Sequence, residues 1–230
     1  SPWTVRYRTA ESKIATVTAV GVPFQELRKR LVPKPYRAFD VELNGKSVPV
    51  LDIPSLRYGE FADYRRFIDD FFSKNQGKQA LIIDLRRNPG GHGSWGYYML
   101  DFLTESPYQI IDVFDFKVSD VFRNSIYRQK AGHQLKGAEN GDYISIAATP
   151  MRTPHAAQHR FSGRVFLLVS HSTNSAGVVT AAILKHNGMG TVIGQETAGR
   201  IRFNSDPVTV NLPRTGLRVQ IPVAIYALPG

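Results

Sequence analysis

Leu81-Ile82-Ile83-Asp84-Leu85-Arg86-Arg87-Asn88-Pro89-Gly90-Gly91 decides how this chain folds. From Ala80 to Leu85 the run is apolar apart from Asp84 and is closed by Arg86, which predicts a strand buried on both faces. Asn88-Pro89-Gly90-Gly91 then forces a turn, because the glycine pair admits backbone angles barred to other residues. Beyond it, Trp95 to Leu103 takes up helical periodicity. Ahead of it, Glu60 to Lys74 sets Phe61, Tyr64, Phe67, Ile68, Phe71 and Phe72 on one face of an amphipathic helix. The same succession returns further on. Val165 to Ser170 is an apolar strand, His171 to Ser175 a polar turn, and Ala176 to Lys185 a helix rich in small residues; Thr191 to Gly194 starts a third strand. Repeated β-α units predict an α/β fold with a substantially parallel sheet. In such sheets ligand chemistry lies beyond the carboxyl ends of the strands, where both polar turns fall.

The flanks read differently. Thr4 to Tyr7 and Ile14 to Val20 are β-rich around the turn-prone Glu11-Ser12-Lys13. Pro33 and Pro35 punctuate the chain before a second hairpin, in which Phe39, Val41 and Leu43 alternate with polar neighbours and Asn44-Gly45 supplies a two-residue turn. Residues 1–48 are therefore expected to be an N-terminal β segment and 49–230 the core. Periodicity weakens over about 115–160, where Gly132, Gly137, Gly141, Pro150 and Pro154 predict a long irregular loop. His133, His155 and His159 lie there, at spacings that match no metal motif. Val208 to Leu212 and Leu217 to Ile225 return to β.

With 42% hydrophobic and 21% charged residues, the composition is that of a folded globular chain. No apolar run approaches a membrane span. Cysteine is absent, which excludes disulfides, thiolate catalysis and cysteine-based zinc sites. Lys and Arg exceed Asp and Glu by 29 to 19, for a net charge of +10. These cations are scattered (Arg28-Lys29-Arg30 is the longest tract) and no nucleic-acid motif surrounds them, so the excess reads as a solvated basic surface. Ser1 follows no leader or initiator Met, as expected of a mature product or an excised fragment.

The two turns are where chemistry is expected. At a strand-to-helix turn, the backbone N–H groups of Gly90 and Gly91 point where an oxyanion would need them. Ser175 sits between a strand and a helix that opens on Ala176 and Gly177, so its hydroxyl lies at a positive helix end beside the Ala176 N–H. Each turn alone reads as plain structure: a tight bend, and a serine helix cap.

Taken together, Leu81–Gly91, Thr173-Asn174-Ser175-Ala176-Gly177 and Val192-Ile193-Gly194-Gln195-Glu196-Thr197-Ala198-Gly199 resemble, in order and spacing, the signature segments of the S41 peptidases. These are the tail-specific and C-terminal processing proteases. The resemblance implies a ClpP/crotonase-like core of repeated ββα units, an extracytoplasmic (periplasmic or secreted) location and a PDZ-type domain that residues 1–25 would join. It also implies an endopeptidase that cleaves extended peptides or protein tails through an acyl-enzyme on Ser175. The Ala176 N–H, with that of Gly90 or Gly91, would form the oxyanion hole.

Two departures bear on the base. Members with a Ser–Lys dyad carry lysine 25 residues after the serine, where this chain has Arg200, a cation that cannot accept a proton. Tricorn-like members carry histidine on the strand before the amphipathic helix, where this chain has Asp52 in Val50-Leu51-Asp52-Ile53-Pro54. His92, His171 and His186 remain as bases near the turns, with Asp52 as a fourth candidate. The competing reading is a catalytically inactive S41-like domain that binds a peptide or a hydrophobic ligand. Neither reading calls for a cofactor or metal.

Overall fold

Two hairpins open the chain. β1 (Trp3–Arg8) and β2 (Ile14–Ala19) pair antiparallel around a turn in which Ser12 takes φ 62°. β3 (Arg37–Leu43) and β4 (Lys46–Asp52) pair antiparallel around Asn44 and Gly45, at φ 51° and 72°, the two left-handed residues such a turn requires. This computed structural model describes residues 2–23, 26, 36–57, 59–147, 151–155 and 159–229. Arg28-Lys29-Arg30, Pro33, Pro35 and Pro150 lie outside the described residues. By compactness the chain divides into Ser1–Lys34, which holds the first hairpin, and Pro35–Gly230, which holds everything after it.

In the second unit, α1 (Phe61–Lys74) follows the expected helix, with Glu60 as its N-cap. β5 (Ala80–Asp84) leads through the glycine turn into α2 (Gly93–Leu100), which ends in a 3₁₀ turn, Asp101–Leu103. β8 (Arg164–Val169) leads through the serine turn into α4 (Ala176–His186) and then β9 (Thr191–Gly194). The intervening elements are named below. The main sheet runs β3-β4-β5-β8-β9, parallel everywhere except at the β3–β4 hairpin.

One face of this sheet is the core face. Leu51, Ile83 and Leu167 stand side by side in register and are fully buried with Tyr64, Ile68 and Phe72 of α1 and Met99 of α2. The Tyr64 and Trp95 rings stack at 4.6 Å, and those of Phe72 and Phe102 at 4.5 Å. The alternate residues Ala80, Ile82, Phe166 and Leu168 are only half-buried. Burial of the Ala80–Leu85 strand on both faces is thus not what the fold does. α1, α2 and α4 all contribute to the core on the Ile83 side.

The irregular loop expected over 115–160 is largely ordered. It contains β6 (Val113–Lys117), α3 (Asp120–Arg123), a 3₁₀ stretch (Ile126–Leu135) and β7 (Tyr143–Ala147). With β10 (Arg202–Asn211) and β11 (Arg218–Ala227) these strands form a second, antiparallel sheet in the order β10-β11-β6-β7. Elements of four or five residues show no period in sequence. Here they are held by Phe116, Phe122 and Ile144 packing on Val223, about a hundred residues downstream.

Asp101 anchors the return from this sheet. Fully buried, it accepts from Arg152 Nε at 2.8 Å, Tyr108 Oη at 2.7 Å and His155 Nδ1 at 2.8 Å. Burial alone would raise its pKa, but the hydrogen bonds from Arg152, His155 and Tyr108 outweigh it and hold the carboxyl below its usual value. A depressed carboxyl stabilises the fold above the unfolded value of about 3.9 and loses that contribution as pH falls through the lower folded value. Urea midpoints measured from pH 6 down to pH 2.5 are therefore expected to fall with acidification. Asp101→Asn is expected to be less stable at pH 6 and to show a shallower acid loss.

Candidate active site

The two polar turns meet. A Cβ built on Gly90 would lie 2.7 Å from Ser175 Cβ, 2.9 Å from the Asn174 carbonyl oxygen and 3.1 Å from the Ala176 nitrogen. Only the missing side chain lets the strands' two ends approach this closely, and Gly90 at φ 107° uses the freedom of its type as well. Gly91, at φ 143°, sits against the Leu56 carbonyl, where a Cβ would come within 2.4 Å of its carbon and oxygen.

Ser175 itself has φ 48° and ψ −121°, a backbone shape that costs a residue with a side chain about 1–3 kcal/mol. Its N–H donates to the Asn174 side-chain oxygen at 2.8 Å, which helps hold the bend. Although it occupies the N-cap position of α4, its hydroxyl makes no capping bond and no other hydrogen bond among the described residues, and the residue is exposed. The plain helix-cap role is therefore not the one it fills. A strained strand-to-helix turn that turns a serine hydroxyl out to solvent is the arrangement nucleophilic serines adopt in hydrolases.

Backbone donors surround it unequally. The Gly90 N–H is already taken by Asn88 Oδ1 at 2.7 Å, so Gly90 has no donor left for an oxyanion. The N–H groups of Gly91 and Ala176 have no acceptor among the described residues.

The candidate bases are dispersed. His171 Nδ1 pairs with Gln195 Oε1 at 3.2 Å. His186 ends α4, eleven residues and about 16 Å along the helix from Ser175, out of reach of its hydroxyl. Asp52 is buried and receives Arg37 Nε and Arg87 Nη2, each at 2.8 Å. His92 follows Gly91 directly, is exposed, and its ring makes no hydrogen bond among the described residues. Arg200 is exposed and without a hydrogen bond or ion pair among the described residues. The chain just before it packs on the serine turn: Ala198 N–H donates to the Thr173 carbonyl at 3.0 Å, and a Cβ on Gly199 would lie 3.0 Å from Val178.

Three residues read in sequence only as parts of a turn hold the site together. Asn88, fully buried, donates from Nδ2 to the Ile53 carbonyl at 2.8 Å while its oxygen takes the Gly90 N–H. Its own carbonyl accepts the Asn174 N–H at 2.9 Å. The buried Thr173 hydroxyl donates to the Leu85 carbonyl at 2.8 Å and accepts from Ser170 at 3.0 Å. Arg87 ties the turn back to Asp52. An asparagine in the turn that follows an apolar strand was the available signal, since a buried amide must find partners on both of its polar ends. Among the described residues there is no cluster of three or more histidine and acidic side chains able to hold a metal ion.

Two substitutions test this geometry. Asn88→Ala leaves a buried carbonyl and a buried N–H unpaired and is expected to cost about 2–4 kcal/mol in urea unfolding. Gly90→Ala places a methyl group against Ser175 and strains the backbone. It is expected to slow any covalent labelling of Ser175 by about a hundredfold or more, with Tm reported alongside.

The sequence and the fold have known counterparts. The tail-specific protease of Haemophilus influenzae is 25% identical over 160 residues, which is 69% of this chain and 18% of that protein. Among solved structures, mature CPAF matches with a TM-score of 0.57 at 17% identity, covering 98% of this chain and 57% of its own. The photosystem II D1 C-terminal processing protease also matches with a TM-score of 0.57, at 18% identity, covering 100% of this chain and 51% of its own. The chain spans less than a third of the curated relatives it matches and somewhat over half of these two solved chains. Both structures share its fold. Residues 48–230 match the model of peptidase family S41, and the chain belongs to that family.

Proposed function

We propose that this chain is the hydrolytic core of a serine endopeptidase acting on extended peptides or protein C-terminal tails. The observation that carries the reading is the meeting of a strained, exposed Ser175 with two unpaired backbone donors across the bare α-carbon of Gly90. Ser175 Oγ attacks the peptide carbonyl, and the carbonyl oxygen, now negative, is held by the N–H groups of Ala176 and Gly91. The serine proton goes to a base and then to the departing amine; water later cleaves the acyl-enzyme with release of acid. His92 is the base this reading favours, as it adjoins Gly91 and its ring is unengaged. Its hydrogen bond to Ser175 would form only with substrate in place.

The same reading takes the parallel sheet as a ClpP/crotonase-like core. Residues 1–25 are the segment that joins a PDZ-type domain, the β3–β4 hairpin belonging to the main sheet instead, and the enzyme works outside the cytoplasm. No helix among the described residues is long and apolar enough to cross a membrane. A second reading, a non-catalytic domain that binds peptide or hydrophobic ligand, is favoured by one observation: among the described residues no base is hydrogen-bonded to Ser175.

A fluorophosphonate probe separates the two. Labelling of the wild-type chain, absent in Ser175→Ala at unchanged Tm, is the expected result. No labelling between pH 5 and 9 would establish the binding domain instead. His92→Ala is expected to slow labelling by about 10²–10⁴-fold, a slowing that the pH–rate profile separates from loss of fold.

A further inference from the structure

The sheet face turned away from the helices carries Val48, Ala80, Ile82, Arg164 and Phe166. Register sets them side by side, with Ile82 beside Phe166 and Ala80 beside Arg164. At the amino-terminal ends of β5 and β8 this face deepens into a cleft of about 590 Å³, in the size range of small-molecule sites. Asn44 of the β3–β4 turn borders it on one side, and Gly77, after α1, on the other. Val48, Ile82 and Phe166 give it an apolar lining, and Lys46, Lys78 and Arg164 a cationic one.

Those charges are only partly cancelled. Lys78 lies 3.8 Å from Asp40 and donates to the Ser47 hydroxyl. Lys46 donates to the neutral Gln79 at 3.3 Å. The Arg164 guanidinium stands 5.8 Å from the centre of the Phe166 ring and makes no hydrogen bond or ion pair among the described residues. Three cations thus face one carboxylate around a half-buried apolar surface. Such a site suits a ligand with one anionic end for Arg164 and Lys78 and an apolar body for Phe166 and Ile82. The Ser175 turn is at the other end of β8, roughly 16 Å along the strand.

We propose that this cleft binds a small amphipathic carboxylate, an acyl or aryl chain ended by one COO⁻, at a site separate from the serine turn. Charge complementarity selects the anion, and the apolar lining selects against inorganic anions. The inference stands whether or not Ser175 is a nucleophile.

Isothermal titration of the whole 230-residue chain with decanoate, with decanol as the uncharged control, tests it. Decanoate is expected to saturate a single site and decanol to bind at least about tenfold more weakly. Arg164→Gln and Lys78→Gln are each expected to weaken decanoate about tenfold without altering fluorophosphonate labelling or Tm, and Ser175→Ala to leave its affinity unchanged. The proposal is overturned if decanoate gives no saturable binding or if decanol matches it. It is equally overturned if both charge substitutions leave Kd within twofold, or if Ser175→Ala abolishes binding.

Discussion

A single buried amide holds the site in one piece. Asn88 has no exposed surface, and it is bonded at both ends of its side chain and both ends of its peptide unit: to Ile53, Gly90, Leu85 and Asn174. Those four partners belong to the end of β4, the glycine turn, the end of β5 and the serine turn. None of these segments could fix the others through apolar packing alone, since each is polar and irregular beyond its strand. A buried amide left unpaired costs several times what a satisfied one contributes, so Asn88 admits one arrangement of the turns and penalises the rest. The strain at Ser175 persists because this frame over-determines it.

Electrostatics at the same strand ends follow from the topology. Parallel pairing puts Asp52 directly beside Asp84, two carboxylates in one row at the edge of the core. The chain offsets them with arginines: Arg37 and Arg87 on Asp52, and Arg86 on Asp84 through side-chain and backbone bonds. Burial opposes the ionised form of Asp84, yet the Arg86 bonds leave its pKa lowered. The Arg86-Arg87 pair in the signature strand is therefore a counter-charge to the sheet. Asp52, bound by Arg37 and Arg87, is thereby engaged with the sheet's arginines.

Much of this fold was legible because its central elements repeat and carry long apolar patterns. The β5-turn-α2 and β8-turn-α4 units stood out by period, and the convergence of their turns followed from parallel pairing. The second sheet was not legible: β6 and β7 are five residues each and gain their meaning from β11, far along the chain. Asp206 and Pro207 obscured the length of β10, in which Asp206 takes φ 53° and is held by Lys130 and Tyr226. Within the site, Ser175 and the glycines were readable as types, whereas the choice between the Gly90 and Gly91 donors depended on where one asparagine oxygen points.

Arg200 sharpens what the site must obtain elsewhere. It follows the Ala198-Gly199 segment that packs on the serine turn, and a guanidinium is no carrier for the serine's proton. Well-placed oxyanion donors supply about 10²–10³ in rate each, and a general base a further 10²–10⁴. On the peptidase reading, Ala176 and Gly91 would supply the oxyanion share of that rate, whereas activation of the serine hydroxyl and departure of the amine both require a proton carrier. The step most sensitive to a missing base is protonation of that amine, since an unprotonated amide anion is expelled far less readily than the serine alkoxide. A chain with this frame and no base would therefore hold its peptide and return it uncut, and it is the path of one proton, rather than the shape of the pocket, that separates the peptidase from the binding domain.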